Sequence, residues 1–198
     1  MACYIAKETG RDYVHAYQPE DESVTQHHEL MQWSQKIQDA LRTNKFYLML
    51  QTMAPLLTAQ ADIQIQEFLL RIRMDDGSVV TPATFIPAAE RSGLMRDIDM
   101  WVIDHALEII QDVQQDTESS VTYLYSINLS GQSVGDPEIS DFIIKKIEQY
   151  EIDPKQLMLE VTETAAITNF QSAMDFIQRL SEIGCNFALD DFGAGLSS

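Results

Sequence analysis

Two adjacent carboxylates, Asp190 and Asp191, stand where an apolar strand, Phe187 to Asp190, runs into the glycine-rich turn Phe192-Gly193-Ala194-Gly195. A strand that delivers paired acids to its carboxyl end, with glycines permitting tight backbone beyond them, suits divalent-metal binding in an α/β enzyme. Upstream, Asn128 in Ile127-Asn128-Leu129-Ser130 and Glu160 in Glu160-Val161-Thr162-Glu163 stand at or near the ends of two further strands. Asn128 and Glu160 are 32 residues apart, and Glu160 and Asp190 are 30 apart. Each interval is close to one strand-helix-strand repeat, so the same layer of a sheet is sampled again and again. Earlier in the chain, the two-residue alternation of a strand places Glu67, Leu69 and Arg71 on one side of Glu67-Phe68-Leu69-Leu70-Arg71.

Taken singly, each of these residues reads as an ordinary cap acid or turn amide. Together they form a set of hard oxygen donors suited to Mg²⁺ or Mn²⁺, and the absence of paired Cys or His ligands argues against structural zinc. Carboxylates held close together repel, so either cations neutralise them or some are protonated. Arg71 can meet a phosphate by a bidentate contact. The residues therefore allow a metal-dependent phosphoester chemistry.

These donors need a scaffold. Residues 1–24 read as a tail and acidic linker, with Gly10-Arg11 breaking a short helix and Gln18-Pro19-Glu20-Asp21-Glu22 following. Ser23 with Gln26 makes a capping box for a linker helix over 25–44, striped by Leu30, Ile37 and Leu41. Strands are expected at Phe46–Gln51 and Ile63–Ile72, with too short a connection for a crossover helix, so the pair should run antiparallel. Ile98, Trp101, Val102, Ala106, Ile109, Ile110 and Val113 recur at helical spacing, and a strand over Val121–Leu129 follows. Asp136-Pro137 opens a helix burying Ile139, Ile143 and Ile147, with Asp as N-cap and Pro in the first turn. After a strand at Gln156–Val161, a helix is expected to bury Phe170, Met174, Ile177, Leu180 and Ile183 and to end at Gly184. Strands alternating with helices indicate a parallel sheet with right-handed crossovers. The lack of a glycine-rich dinucleotide fingerprint favours a barrel over a doubly wound sheet.

The 198 residues, 45% hydrophobic, suffice for a globular core. With 31 acidic against 13 basic residues and a net charge of −18, a general basic surface for DNA, RNA or anionic membrane is excluded. No apolar run reaches membrane-spanning length and the N-terminus lacks the order of a signal peptide, so a cytoplasmic chain is expected. Cys3 and Cys185 read as reduced thiols, and the adjacent His27 and His28 as an exposed polar pair.

In sum the motifs resemble the EAL-domain family of cyclic-di-GMP phosphodiesterases. Glu67-Phe68-Leu69 stands at the family's name motif, with Phe in place of the usual Ala or Val, and Leu70-Arg71 follows in register. Thr81-Pro82, Phe85-Ile86-Pro87-Ala88-Ala89-Glu90 and Gly93-Leu94 are similar to the next block; Asn128-Leu129-Ser130, Glu160-Val161-Thr162-Glu163 and Asp190-Asp191-Phe192-Gly193 complete the order over residues 45–198. Residues 2–17, with Ala6-Lys7-Glu8-Thr9-Gly10-Arg11, are similar to the end of a GGDEF domain.

The resemblance implies a (β/α)₈ TIM-type barrel with its first strand antiparallel, and two divalent ions, Mg²⁺ or Mn²⁺. Glu67, Asn128, Glu160 and Asp190 would hold the first ion, with Asp191 reaching the second; Glu67, Glu160, Asp190 and Asp191 would be the catalytic acids. Gln51, Leu69 and Arg71 would contact cyclic-di-GMP, and Glu163 would orient the nearby loop. Two ions roughly 3.5–4 Å apart would drive in-line attack of water on one phosphodiester bond, giving linear pGpG. The same resemblance places a lysine and further acids on later strands, three of the eight, which are expected beyond Ser198. An inactive isolated fragment, an active longer parent with upstream GGDEF or sensor domains, and room for a homodimer are the corresponding expectations. The competing readings are a degenerate cyclic-di-GMP sensor and a protein-interaction module using the linker helix.

Overall fold

The computed structural model describes residues 22–54, 63–116, 122–168 and 170–191. The linker helix α1 spans Glu22–Arg42. It buries Ile37 and Ala40 against the body of the protein, a three-residue spacing that puts both on one helical face. The side chains of Ser23, Gln26, His27 and His28, the GGDEF-like tail and Cys3 lie outside the description.

Strand β1 (Phe46–Met53) pairs antiparallel with β2 (Ile63–Arg73), as the short connection requires. The two-residue strand β3 (Val79–Val80) folds back onto the end of β2. Helices α2 (Pro82–Ser92) and α3 (Met95–Asp116) follow, and the left-handed Gly93 caps the first of them. Then come β4 (Thr122–Leu129), α4 (Pro137–Gln149), β5 (Leu157–Thr162), the short α5 (Glu163–Thr168), α6 (Phe170–Glu182) and β6 (Asn186–Asp190). The sheet order is β1-β2-β4-β5-β6, with every neighbour after the first pair parallel. One antiparallel strand followed by a parallel, helix-covered sheet is the architecture of an incomplete TIM-type barrel.

The core lies between the sheet and its helices. Phe68, Leu70 and Ile72 of β2, Tyr125, Ile127 and Leu129 of β4, and Leu157, Leu159 and Val161 of β5 are all buried. Alternation therefore commits the intervening residues of each strand to the opposite face. Asp136 caps α4 by accepting from the Glu138 amide at 2.8 Å, with Pro137 in the first turn.

Two expectations need correction. Of the expected face of α6, Leu180 is buried as read, but its buried companions are Ala173 and Phe176, whereas Phe170 is 63% and Met174 44% exposed, and Ile183, just past the helix end, is exposed too. Two apolar rows run along this helix, and the one that turns inward sets Phe176 edge-on against Phe187 of β6. Gln156 belongs to a 3₁₀ turn (Pro154–Gln156), so β5 begins one residue later and extends through Thr162. The structure also adds α2, β3 and α5, which periodicity alone does not reveal.

Candidate active site

Register brings the predicted site residues to one face, except Asp191, which follows the end of β6 and has no partner in the ladder. Gln51 pairs with Glu67, Met49 with Leu69 and Tyr47 with Arg71 across β1 and β2. Glu67 pairs with Ser126, Asn128 with Glu160, and Thr162 with Asp190. Paired residues project to the same side of a sheet, and so do residues two apart. Gln51, Glu67, Leu69, Arg71, Ser126, Asn128, Glu160 and Asp190 thus share the face away from the helix-packed core. The donors climb from the Glu67–Ser126 level to the Thr162–Asp190 level, the stagger that barrel closure imposes.

Two cross-strand hydrogen bonds join them. Asn128 Nδ2 donates to Glu67 Oε1 at 3.0 Å, linking residues far apart in sequence. The fully buried Ser126 hydroxyl donates to Glu160 Oε1. Burial raises the Glu160 pKa above the usual carboxylate range; the Ser126 hydrogen bond opposes this, while the charges of Glu67 and Asp190 push it further up. Glu160 therefore feels both acids, although among the described residues no three carboxylate, His or Cys side chains stand close enough to hold a metal ion by themselves.

Asp190 and Asp191 are both exposed at the end of β6. Asp191 adopts a left-handed backbone with φ 54°, and its amide donates to Asp190 Oδ1 at 2.9 Å. Phe192 and the glycines beyond lie outside the described residues. The Arg71 guanidinium folds back to donate to the Leu70 carbonyl at 2.7 Å, and among the described residues it makes no ion pair. Gln51 is exposed and Leu69 half-buried. Glu163 is buried at the start of α5, directly after β5.

A cleft of about 380 Å³ opens beside these donors, lined by Leu69, Pro82, Glu90, Asp99, Asn128 and Ser130 among others. Sequence reasoning passes over two supporting residues, Ser126 behind Glu160 and Asp99 in the cleft wall. Ser126 lies one strand away from the acid it serves, and Asp99 sits inside an apolar helical pattern. The available signal for Asp99 is that it shares a helix face with Ile103 and Ala106, four and seven residues on, and both of those are buried.

Residues 34–198 match the family model described as EAL domain. The chain is 36% identical over 201 residues to the cyclic di-GMP phosphodiesterase PdeB of Shewanella oneidensis, a match covering 100% of this chain and 23% of that protein. It is likewise 36% identical over 163 residues to the cyclic di-GMP phosphodiesterase PdeF of Escherichia coli, covering 82% of this chain and 21% of that protein. It therefore spans about a quarter of the length of these curated relatives. The crystal structure of the FimX EAL domain from Pseudomonas aeruginosa bound to c-di-GMP superposes with a TM-score of 0.71 at 26% identity, over 84% of this chain and 64% of that one. A strand order, a donor face and a sequence match that agree over the same residues lead to one conclusion: the chain belongs to the EAL domain family.

Proposed function

We propose that the protein carrying these residues is a divalent-metal-dependent phosphodiesterase that hydrolyses cyclic-di-GMP to linear pGpG. The observation that carries this reading is the convergence of Glu67, Asn128, Glu160 and Asp190 on one sheet face, with Asn128 hydrogen-bonded to Glu67 and Glu160 raised by burial and by both acids. The function named for the two curated relatives supports the substrate.

The donor set fits Mg²⁺ or Mn²⁺: it consists of hard oxygens, and a cation would relieve the repulsion that raises Glu160. Glu67, Asn128, Glu160 and Asp190 would hold one ion and Asp191 a second. When bound, such ions supply Lewis-acid polarisation of a phosphoryl group and a nucleophile at neutral pH. The chain's own groups do the rest. Arg71, free of any carboxylate partner among the described residues, binds a phosphate oxygen. Gln51 and Leu69 orient the nucleotide on either side of Glu67 along the β1–β2 pair. Ser126 keeps one Glu160 oxygen fixed by hydrogen bonding, so the other is left to turn towards the site.

The test is a hydrolysis assay on the whole protein with Mg²⁺ or Mn²⁺, following pGpG by chromatography. Metal-dependent product, abolished by Glu67→Gln, is the expected result. Tight nucleotide binding by calorimetry with no product over long incubation would replace the enzyme by a sensor of the same nucleotide.

A further inference from the structure

We infer that Asp99 is a positioning residue for this site: from α3 it clamps Ser130 at the exit of β4 and so holds Asn128 against Glu67. The inference rests on reading Asn128 as part of the functional face, and it concerns a carboxylate to which that reading gives no task.

Asp99 is only 4% exposed, and among the described residues no Lys, Arg or His forms an ion pair with it. Burying a carboxylate without a cation is unfavourable unless hydrogen bonds compensate. Its Oδ2 accepts from the Ser130 amide at 3.1 Å and from the Ser130 hydroxyl at 2.5 Å. On its other side, the Ser130 carbonyl accepts from the amides of Ser133 and Val134, each at 3.1 Å. Residue 130 is thus tied by its N–H, its side chain and its carbonyl, immediately after the last residue of β4.

Asn128 stands two residues earlier, and the ladder fixes it on one side, where it pairs with Glu160. The clamp fixes the chain on the other side. Between the two, the Asn128 amide has little freedom and meets Glu67 Oε1 at 3.0 Å. Asp99, Ser130 and Asn128 all line the same cleft, so the clamp forms part of its wall. A helix whose other inward residues are apolar therefore contributes one acid, at the place where the strand end must be held. Supports of this kind, one step behind the groups that bind, typically change metal affinity or activity by about 10–100-fold when removed.

The experiment reads Asn128 directly, without metal or substrate. In the ¹⁵N–¹H spectrum of the metal-free protein, the Asn128 side-chain amide is assigned by its loss in Asn128→Asp. Asp99→Ala should move that amide pair towards free-amide shifts and fast hydrogen exchange. Ser130→Ala, which keeps the backbone donor, should do so partly. Asp99→Asn, which still offers an oxygen to Ser130, should restore most of the wild-type signal. A folded Asp99→Ala or Ser130→Ala protein with an unchanged Asn128 amide would overturn the clamp. Should Asp99→Ala fail to fold, Ser130→Ala and Asp99→Asn decide between the same outcomes. Mn²⁺ affinity measured on the same variants is then expected to fall about 10-fold or more for Asp99→Ala. Absence of Mn²⁺ binding in the wild type would sink the metal reading while leaving the amide result to judge the clamp.

Discussion

The Ser126 hydroxyl on β4 donates to Glu160 on β5, and this bond is the one named contact that favours the ionised form of Glu160. Burial and the charges of Glu67 and Asp190 all act the other way. Ser126→Ala therefore raises the Glu160 pKa further, because it removes the opposing bond and leaves the rest. The side-chain ¹³C titration of Glu160 measures this, and a downward move would show that the hydroxyl does not favour the carboxylate. Since Ser126 is fully buried, the same substitution should also cost about 1–3 kcal/mol of stability at neutral pH.

If the acids of this face await a cation, the cation should stabilise the fold. Mn²⁺ at about 100 times its dissociation constant adds about 2.7 kcal/mol to the native state. Thermal unfolding with and without Mn²⁺ measures the gain, which Glu67→Gln and Glu160→Gln should each largely remove. An equal gain in Glu67→Gln would locate the ion elsewhere on this strongly acidic chain.

The legible parts of this molecule are those governed by local rules. The short link between Phe46–Met53 and Ile63–Arg73 forces antiparallel pairing, and two-residue alternation puts Glu67, Leu69 and Arg71 together. Asp136 and Pro137 start their helix as their chemistry dictates. Along α6 the row Phe170-Met174-Ile177 competes with Ala173, Phe176 and Leu180 for the buried face. A hydrophobic stripe gives the period of a helix, but the choice between two stripes depends on the surface opposite. Asp99 and Ser126 are out of reach for a related reason. Each acts on a partner 31 or 34 residues away; the apolar face that Asp99 shares with Ile103 and Ala106 marks it as buried without showing what it holds, and Ser126 carries no local mark at all.

Asp99 also sets a pH dependence. Burial pushes its pKa from an ordinary 3.8 up to about 6, against the hydrogen bonds of Ser130 and Ser133. Between about pH 4 and 6 the folded chain thus binds more protons at this site than the unfolded chain, so stability contributed here falls as pH rises. The loss is complete above about pH 6 and is on the order of 3 kcal/mol at most. Urea midpoints for wild type and Asp99→Asn between pH 4 and 7.5 test this. The difference should move in favour of Asp99→Asn as pH rises, and a constant difference would mean that Asp99 titrates alike in both states.

Gly135 offers a test of packing between the first half of the sheet's helices and the second. It has φ 90°, just before the Asp136 cap of α4, a conformation that side chains disfavour. A Cβ there would also stand 2.8 Å from the Ser172 Cβ on α6 and 3.1 Å from the Ser172 carbonyl carbon. Gly135→Ala therefore meets two separate obstacles, backbone strain of about 1 kcal/mol and overpacking of about 1–3 kcal/mol. Ser172→Gly removes the nearer contact but neither the strain nor the backbone carbonyl, and it introduces a helical glycine worth about 1 kcal/mol. In a double-mutant cycle the pair should be less destabilised than the sum of the two single changes, while remaining below wild type. Strict additivity in urea unfolding would mean that α4 and α6 separate enough to admit the methyl group, leaving the backbone conformation alone to require glycine at this position.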